Sequence, residues 1–248
     1  MIEYIETGNK NVCCGCRSCE QVCPTGALSM KNDSEGFLYP VLDTEKCIGC
    51  SLCDKSCPWM NQMGQTGQPQ AYAVKNKNDA VLQKSSSGGA FSALADYVLA
   101  RNGLIAGCVY DENWNPIHII AERYETMRGS KYVQSDTGNT FTQTRELLEQ
   151  GRWVLYTGTP CQIAGLKQFL KKDYGTLVTV DLVCHGVPSN WLFQEYLSYL
   201  RKKGVISDYI FRDKSKYGWK FSGSYILSKN RKTKKKYTLP TDVYKRQA

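Results

Sequence analysis

From residue 71 onward the apolar positions follow two alternating rhythms. Short runs rich in aliphatic and aromatic residues read as strands: AYAVKN (71–76), LIAGCVYD (104–111), RWVLYTG (152–158) and LVTVDLV (177–183). Between them, apolar residues return every three or four positions. In SSSGGAFSALADYVLARNG (85–103) a stripe of Phe91, Leu94, Ala95, Val98 and Leu99 marks a helix, started by Ser or Gly and stopped by Asn102 and Gly103. GNTFTQTRELLEQG (138–151) is a second helix. TPCQIAGLKQFLKK (159–172) is a third, with Thr159 as N-cap and Pro160 in its first turn. PSNWLFQEYLSYLRKKG (188–204) is a fourth, capped by Ser189 and ended by Gly204.

Strands joined through helices by short connections pair in parallel. The continuous apolar run 177–183 suits a strand covered on both faces. The expected fold is therefore an α/β domain with a partly parallel sheet. The loops after two of its strands, 157–162 and 184–189, leave on one edge, where open α/β sheets take their ligands. Cys161, Cys184 and His185 are expected to face one crevice there, beside a helix N-terminus at 159–161 that suits an anion.

The first sixty residues lack these rhythms and are organised by cysteine. Nine of the twelve cysteines lie between 13 and 57. Cys47, Cys50, Cys53 and Cys57 follow C-x₂-C-x₂-C-x₃-C-P, and Cys13, Cys16, Cys19 and Cys23 repeat it. Three close thiolates on a tight turn reach three irons of one cube, and the fourth, before proline, serves the partner cube. One 4Fe–4S cluster is thus assigned to Cys13, Cys16, Cys19 and Cys57, the other to Cys47, Cys50, Cys53 and Cys23. Cys14 has no counterpart and is read as a non-ligand. Structural zinc uses C-x₂-C pairs with longer gaps. The segment resembles bacterial two-cluster ferredoxins over about residues 8–60. The stretch 26–47 between the copies reads as a small hairpin, and the module is an α+β ferredoxin-like unit whose clusters are its core.

Charge adds one restriction. The chain carries a formal +9, and six of those charges sit in KNRKTKKK (229–236), so no broad nucleic-acid footprint is read. That run is read as an exposed hairpin or loop. No apolar stretch is long enough for a membrane span, and MIEYIETGNK has no apolar signal core. The expected location is the cytoplasm, where disulfides are disfavoured. NQMGQTGQPQ (61–70) reads as a linker. SSSGG (85–89) offers a second helix N-terminus, and RGSKYVQS (128–135) places Lys131 near a phosphate or reduced flavin. Cys108 is read as a packed thiol, and His118 receives no role.

The stretches SSSGGAFSALADYVL, RGSKYVQS, VLYTGTPCQIAGLKQFL and VDLVCHGVPS resemble the family of β-subunits of coenzyme F420 hydrogenases and dehydrogenases over roughly residues 70–225. The resemblance implies an oxidoreductase that binds FAD and passes electrons between 4Fe–4S clusters and a deazaflavin or other redox partner, protein or small coenzyme. It implies FAD contacts at Ser87, Gly88, Gly89, Ser130, Lys131, Tyr132, Thr157, Gly158, Thr159 and Gln162. Cys161, Cys184 and His185 would then shape the flavin environment or act in redox. The alternative is an electron-transfer or assembly protein that docks a partner without catalysis of its own. DVYKRQ (242–247) resembles a translated sequencing-adapter end. The expected organisation is therefore a two-cluster domain at 1–61, a linker at 62–70, an incomplete flavin-binding domain at 71–241 and an artefact at 242–248, the domain being truncated at its C-terminal side.

Overall fold

The computed structural model describes residues 2–62, 64, 67–218, 223–229 and 233–239. In the cysteine-rich part, α1 (Glu3–Thr7) stacks Tyr4 on Tyr39 with centroids 4.9 Å apart. The short helix α2 (Ser18–Gln21) precedes an antiparallel hairpin of β1 (Leu28–Asn32) and β2 (Leu38–Leu42), and α3 (Leu52–Ser56) follows. Ser18 Oγ donates to the Ser56 carbonyl at 2.9 Å, joining α2 to α3 inside the module. Ile2, Cys19 and Leu28 form an apolar centre, with Cys23, Cys53 and Cys57 packed around them. Thiols occupy the place of a core too small to be built from aliphatic residues.

The remainder is a mixed α/β region. After α4 (Asp79–Gln83) and α5 (Ala90–Leu99) come β3 (Leu104–Tyr110), β4 (Pro116–Ala121), α6 (Thr140–Glu149), β5 (Val154–Gly158), α7 (Pro160–Leu170), β6 (Leu177–Asp181) and α8 (Asn190–Arg201). The sheet order is β4-β3-β5-β6, with β3–β5 and β5–β6 parallel and β3–β4 antiparallel. Alternation along the strands divides the core. Ala106, Val154 and Tyr156 pack under α6 and α7 with Phe141, Leu166 and Phe169. Ile105, Val109 and Leu155 pack under α5 with Ala95 and Val98. A second sheet, β7 (Val205–Ile210), β8 (Gly223–Lys229) and β9 (Thr233–Leu239), is antiparallel throughout, with the short α9 (Lys214–Tyr217) between β7 and β8. Phe193, Leu197 and Leu200 of α8 share a core with Ile206, Tyr209, Tyr225 and Leu227.

Four expectations change. Residues 71–76 form no strand, because the Asn76 N–H spends itself on the Gly88 carbonyl at 2.7 Å and Tyr72 is left 76% exposed. The helix expected from 85 begins at Ala90, with 85–89 as a bend before it. Beta-strand β6 is an edge strand of intermediate burial that ends at Asp181, so Leu182 and Val183 lie open rather than covered. His118 sits on β4, a strand the sequence reading did not separate out. The basic run falls on the β8–β9 hairpin, register Lys229↔Thr233; its residues 230–232, like 242–248, lie outside the described residues.

The cysteine-rich part is seated on the α/β region through specific polar contacts. Arg17 makes a two-pronged ion pair with Asp136, NH2 to Oδ2 at 2.7 Å, while its other nitrogen reaches Glu20. Thr137 Oγ1 donates to the Cys16 carbonyl at 3.2 Å. Gln21 Oε1 accepts the Phe141 and Thr142 N–H groups at 3.0 and 3.1 Å, capping α6 from the other module. The Leu38 N–H donates to Gln134 Oε1 at 3.3 Å.

Candidate functional site

The two cysteine quartets share one backbone device. Gly15 and Gly49 have φ of 67° and 68°, and Arg17 and Ser51 have φ of 65° and 57°. Left-handed residues on either side of Cys16 and of Cys50 curl each C-x₂-C-x₂-C run into a tight turn. Arg17 tolerates this strained region because Asp136 and Glu20 fix its side chain.

Cys13, Cys16, Cys19 and Cys57 line one pocket with Ile2, Val12, Met30 and Pro40. Of the five thiols in this pocket, Cys57 comes from the second quartet. Burial raises the Cys13 thiol above its ordinary pKa. Burial, and the neighbouring Cys13, Cys57 and Cys53, raise that of Cys19. Crowded buried thiols resist ionising unless a cation compensates, and the iron of a cluster supplies one. Of the other set, Cys23 is held below its ordinary value despite the opposing effect of desolvation. It accepts from the Thr25 hydroxyl and from the N–H groups of Thr25, Ala27 and Leu28. Cys53 is pushed up to about 11 by burial and by Asp54. Cys47 is half-buried and Cys50 exposed. The first set and its pocket fit a 4Fe–4S cluster, while the thiols of the second set are intermediate or exposed.

The first quartet lies against α7. A Cβ added at Gly165 would stand 2.9 Å from Cys16 Sγ and 3.4 Å from the Phe141 ring. Only a residue without a side chain lets the two modules close here. Cys14, read as a non-ligand, is exposed and also lines the pocket of the first quartet. Sequence reasoning assigned Cys161 to a crevice with Cys184 and His185. All twelve cysteines are free thiols.

The sheet edge brings several flavin candidates together. Ser130 Oγ donates to Ser86 Oγ at 2.8 Å, joining the loop before α5 to the 128–131 segment. A Cβ at Gly107 would meet Met127 Sδ at 3.0 Å and Thr157 Oγ1 at 3.1 Å, so that segment approaches β5 across a glycine. Helix α5 starts at Gly89, φ 83°, with no side chain capping its N-terminus. Arg128 Nε donates to Ser92 Oγ in its first turn at 3.1 Å. Ser87 is exposed, and its carbonyl accepts from Lys214 Nζ at 3.1 Å.

Other candidates already serve the fold. Gly88 is needed because a Cβ there would lie 2.0 Å from the Val74 carbonyl oxygen. Lys131 Nζ lies 3.2–3.4 Å from the carbonyls of Thr126, Met127, Arg128 and Gly129, and burial lowers its pKa. Tyr132 packs edge-on against Phe211, 5.6 Å between centroids. Thr159 and Gln162 form a capping box on α7, and Gln162 Nε2 donates to Ser135 Oγ at 3.0 Å. That box consumes N–H groups the sequence reading offered to an anion. Thr157 Oγ1 donates to the Ala106 carbonyl, and the Gly158 carbonyl accepts the Leu182 N–H at 2.9 Å. Cys184 and His185 are both exposed, and Cys184 Sγ accepts the Gly186 N–H at 3.4 Å. The two residues follow edge strand β6, while Cys161 is half-buried in the first turn of α7, its Sγ 3.1 Å from Thr159 Oγ1.

Sequence reasoning missed His118. Its Nε2–H donates to the Thr157 carbonyl at 3.1 Å and its ring stacks on Tyr156. Burial lowers its pKa to about 4, and Nδ1 has no partner.

Fold and thiols together define the class: an iron–sulfur module of the dicluster kind set against a mixed α/β region. Residues 12–61 match a model described as a 4Fe-4S dicluster domain, and a second model so described covers 39–87. Residues 151–238 match a model described as the C terminus of the coenzyme F420 hydrogenase/dehydrogenase beta subunit, with the dicluster match on its N-terminal side. It is 27% identical over 172 residues to a subunit of the F(420)H(2) dehydrogenase of Methanosarcina mazei, covering 61% of this chain and 46% of that protein. It is 27% identical over 211 residues to the coenzyme F420-dependent sulfite reductase of Methanocaldococcus jannaschii, covering 79% of this chain and 30% of that protein. The chain thus spans less than half the length of either relative. Among the described residues, no helix is long and apolar enough to cross a membrane.

Proposed function

We propose that this chain is an iron–sulfur flavoprotein oxidoreductase that passes electrons between two 4Fe–4S clusters and FAD, and on to a deazaflavin or another redox partner. The observation that carries the reading is the seat of the first quartet: Cys16 packs on Gly165 of α7, whose first turn borders the sheet edge. A flavin exchanges one or two electrons and so links one-electron clusters to a two-electron partner. The residues that suit it are the uncapped N–H groups of α5, the hydroxyls of Ser86, Ser87 and Ser130, and Arg128. Together they form a donor set for phosphate oxygens. Lys131, Thr159 and Gln162 support this edge from behind through their own internal bonds. In the domain organisation that follows, 1–61 holds the clusters and 71–241 the flavin.

A second reading has a specific support. Cys184 and His185 face outward on an exposed loop, as a surface that docks a partner does. On that reading the chain carries clusters and leaves two-electron chemistry to the partner. Iron, acid-labile sulfide and flavin analysis after anaerobic purification separates them. About eight irons with one FAD per chain is the expected result. Full iron with no flavin supports the carrier, and zinc without sulfide overturns both.

A further inference from the structure

We propose that Tyr156, Thr140 and Thr137 form an oriented chain of hydroxyls that raises the reduction potential of the first cluster. The chain starts inside the sheet and ends on Cys16. Thr137 Oγ1 donates to the Cys16 carbonyl at 3.2 Å. Thr140 Oγ1 donates to the Thr137 carbonyl at 2.7 Å. The same Thr140 oxygen lies 2.7 Å from the Tyr156 hydroxyl. A threonine hydroxyl has one hydrogen to give, and that of Thr140 is committed to Thr137. Tyr156 is therefore the donor in the last contact. The inference rests on the cluster part of the reading above and is independent of the flavin.

Every hydrogen in the chain points the same way, toward Cys16. Three O–H dipoles thus stand head to tail, their positive ends facing the first quartet. Both ends of the chain are anchored. Tyr156 belongs to β5, which pairs with β3 on one side and β6 on the other. Thr140 is the first residue of α6, and its N–H also donates to the Thr137 carbonyl, at 3.1 Å. The Gly138 N–H donates to Asp136 Oδ1 at 2.8 Å, and Asp136 is held in turn by Arg17. Thr137, Thr140 and Tyr156 are 1%, 2% and 0% exposed, so water does not screen them. In such an interior, hydrogen bonds in series polarise one another and their dipoles act at greater strength than in water.

Reduction adds one electron, and so one negative charge, to the cube that Cys16 helps to hold. Hydrogen bonding, net charge and exposure around a cluster set its potential. Positive dipole ends aimed at a ligand stabilise the added charge and favour the reduced form. Tyr156 and the two threonines act through Cys16, as positioning residues, and exchange neither electrons nor protons themselves. Because the chain ends on Cys16, its effect falls on the first cluster.

The test is an EPR-monitored redox titration of the anaerobic, iron-loaded chain, with iron per chain and melting temperature measured on the same samples. Thr137→Val is expected to keep its iron and to lower one of the two cluster midpoints, leaving the other in place. Tyr156→Phe, which retains the ring and the bond to Cys16, lowers the same midpoint by less. Thr137→Ser, which retains the hydroxyl, titrates as the parent does. An unshifted midpoint in Tyr156→Phe overturns the chain, even where Thr137→Val has lost iron. A rise in place of a fall, or an equal fall of both midpoints, overturns it too. A parent chain that holds zinc, or gives no cluster signal, sinks the cluster reading itself, and does so before any variant is made.

Discussion

At the scale of single residues, His118 shows how an apolar neighbourhood sets a protonation state. Burial between β4 and Tyr156 outweighs its bond to the Thr157 carbonyl and the attraction of Asp136, while Lys131 adds to the lowering. The imidazole is neutral in the folded chain down to about pH 4, whereas the unfolded chain takes up the proton near 6.5. Between these values the unfolded state binds more protons, so stability falls as pH drops from about 6.5 to 4. The full effect is of the order of 3 kcal/mol. Urea midpoints measured at pH 7 and pH 5 are expected to differ by less in His118→Gln than in the parent chain; an unchanged difference would mean that another group controls it. Nothing in the sequence signalled this, since a histidine between isoleucines in PIHIIA (116–121) carries no sign of its neighbours on β5. Lys131 is the converse case. Its position was legible, but its ammonium is turned back onto four carbonyls of its own loop, a geometry that a local run such as RGSK does not disclose.

At the scale of elements, α7 carries the most information. Thr159, Pro160 and Gln162 mark its start in sequence, and the capping box forms there. Gly165 is the irregularity: a glycine in a helix interior costs roughly 0.5–1 kcal/mol relative to alanine. Gly165→Ala would therefore stabilise an isolated helix. Here the new Cβ would lie 2.9 Å from Cys16 Sγ, and overpacking of this kind costs about 1–3 kcal/mol. The expected outcome is a lower melting temperature and less iron per chain than the parent. A variant that melts higher with full iron would show that the two modules do not close on this glycine. Beta-strand β6 teaches a different lesson. Its apolar run was legible as a strand, but whether the strand is central or at an edge depends on what pairs with it. At the edge, Leu182 and Val183 stay open and the following loop faces outward.

At the scale of the whole molecule, the decisive feature is the seat of the cysteine-rich module on the α/β region. Arg17, 15% exposed in its side chain, holds Asp136 with two nitrogens and Glu20 with the third. Arg17→Ala leaves Asp136 facing this interface without its cation, at an expected cost of about 2 kcal/mol. Asp136→Asn in the same chain should return part of that loss. A double-mutant cycle on unfolding free energy reads the coupling; additive losses would show that the pair does not hold the modules. The eight quartet thiols, the strand–helix alternation after residue 71 and the family resemblance could all be read from the chain itself. Each is local: a ligand spacing, a period of two or 3.6, or a capping residue lies within a few positions of what it specifies. Which thiol packs on Gly165, where β6 lies in the sheet, and which glycines serve close packing instead of a ligand depend on residues far apart in the chain. Such contacts are chosen by the packing of whole elements, and only the tertiary structure decided them.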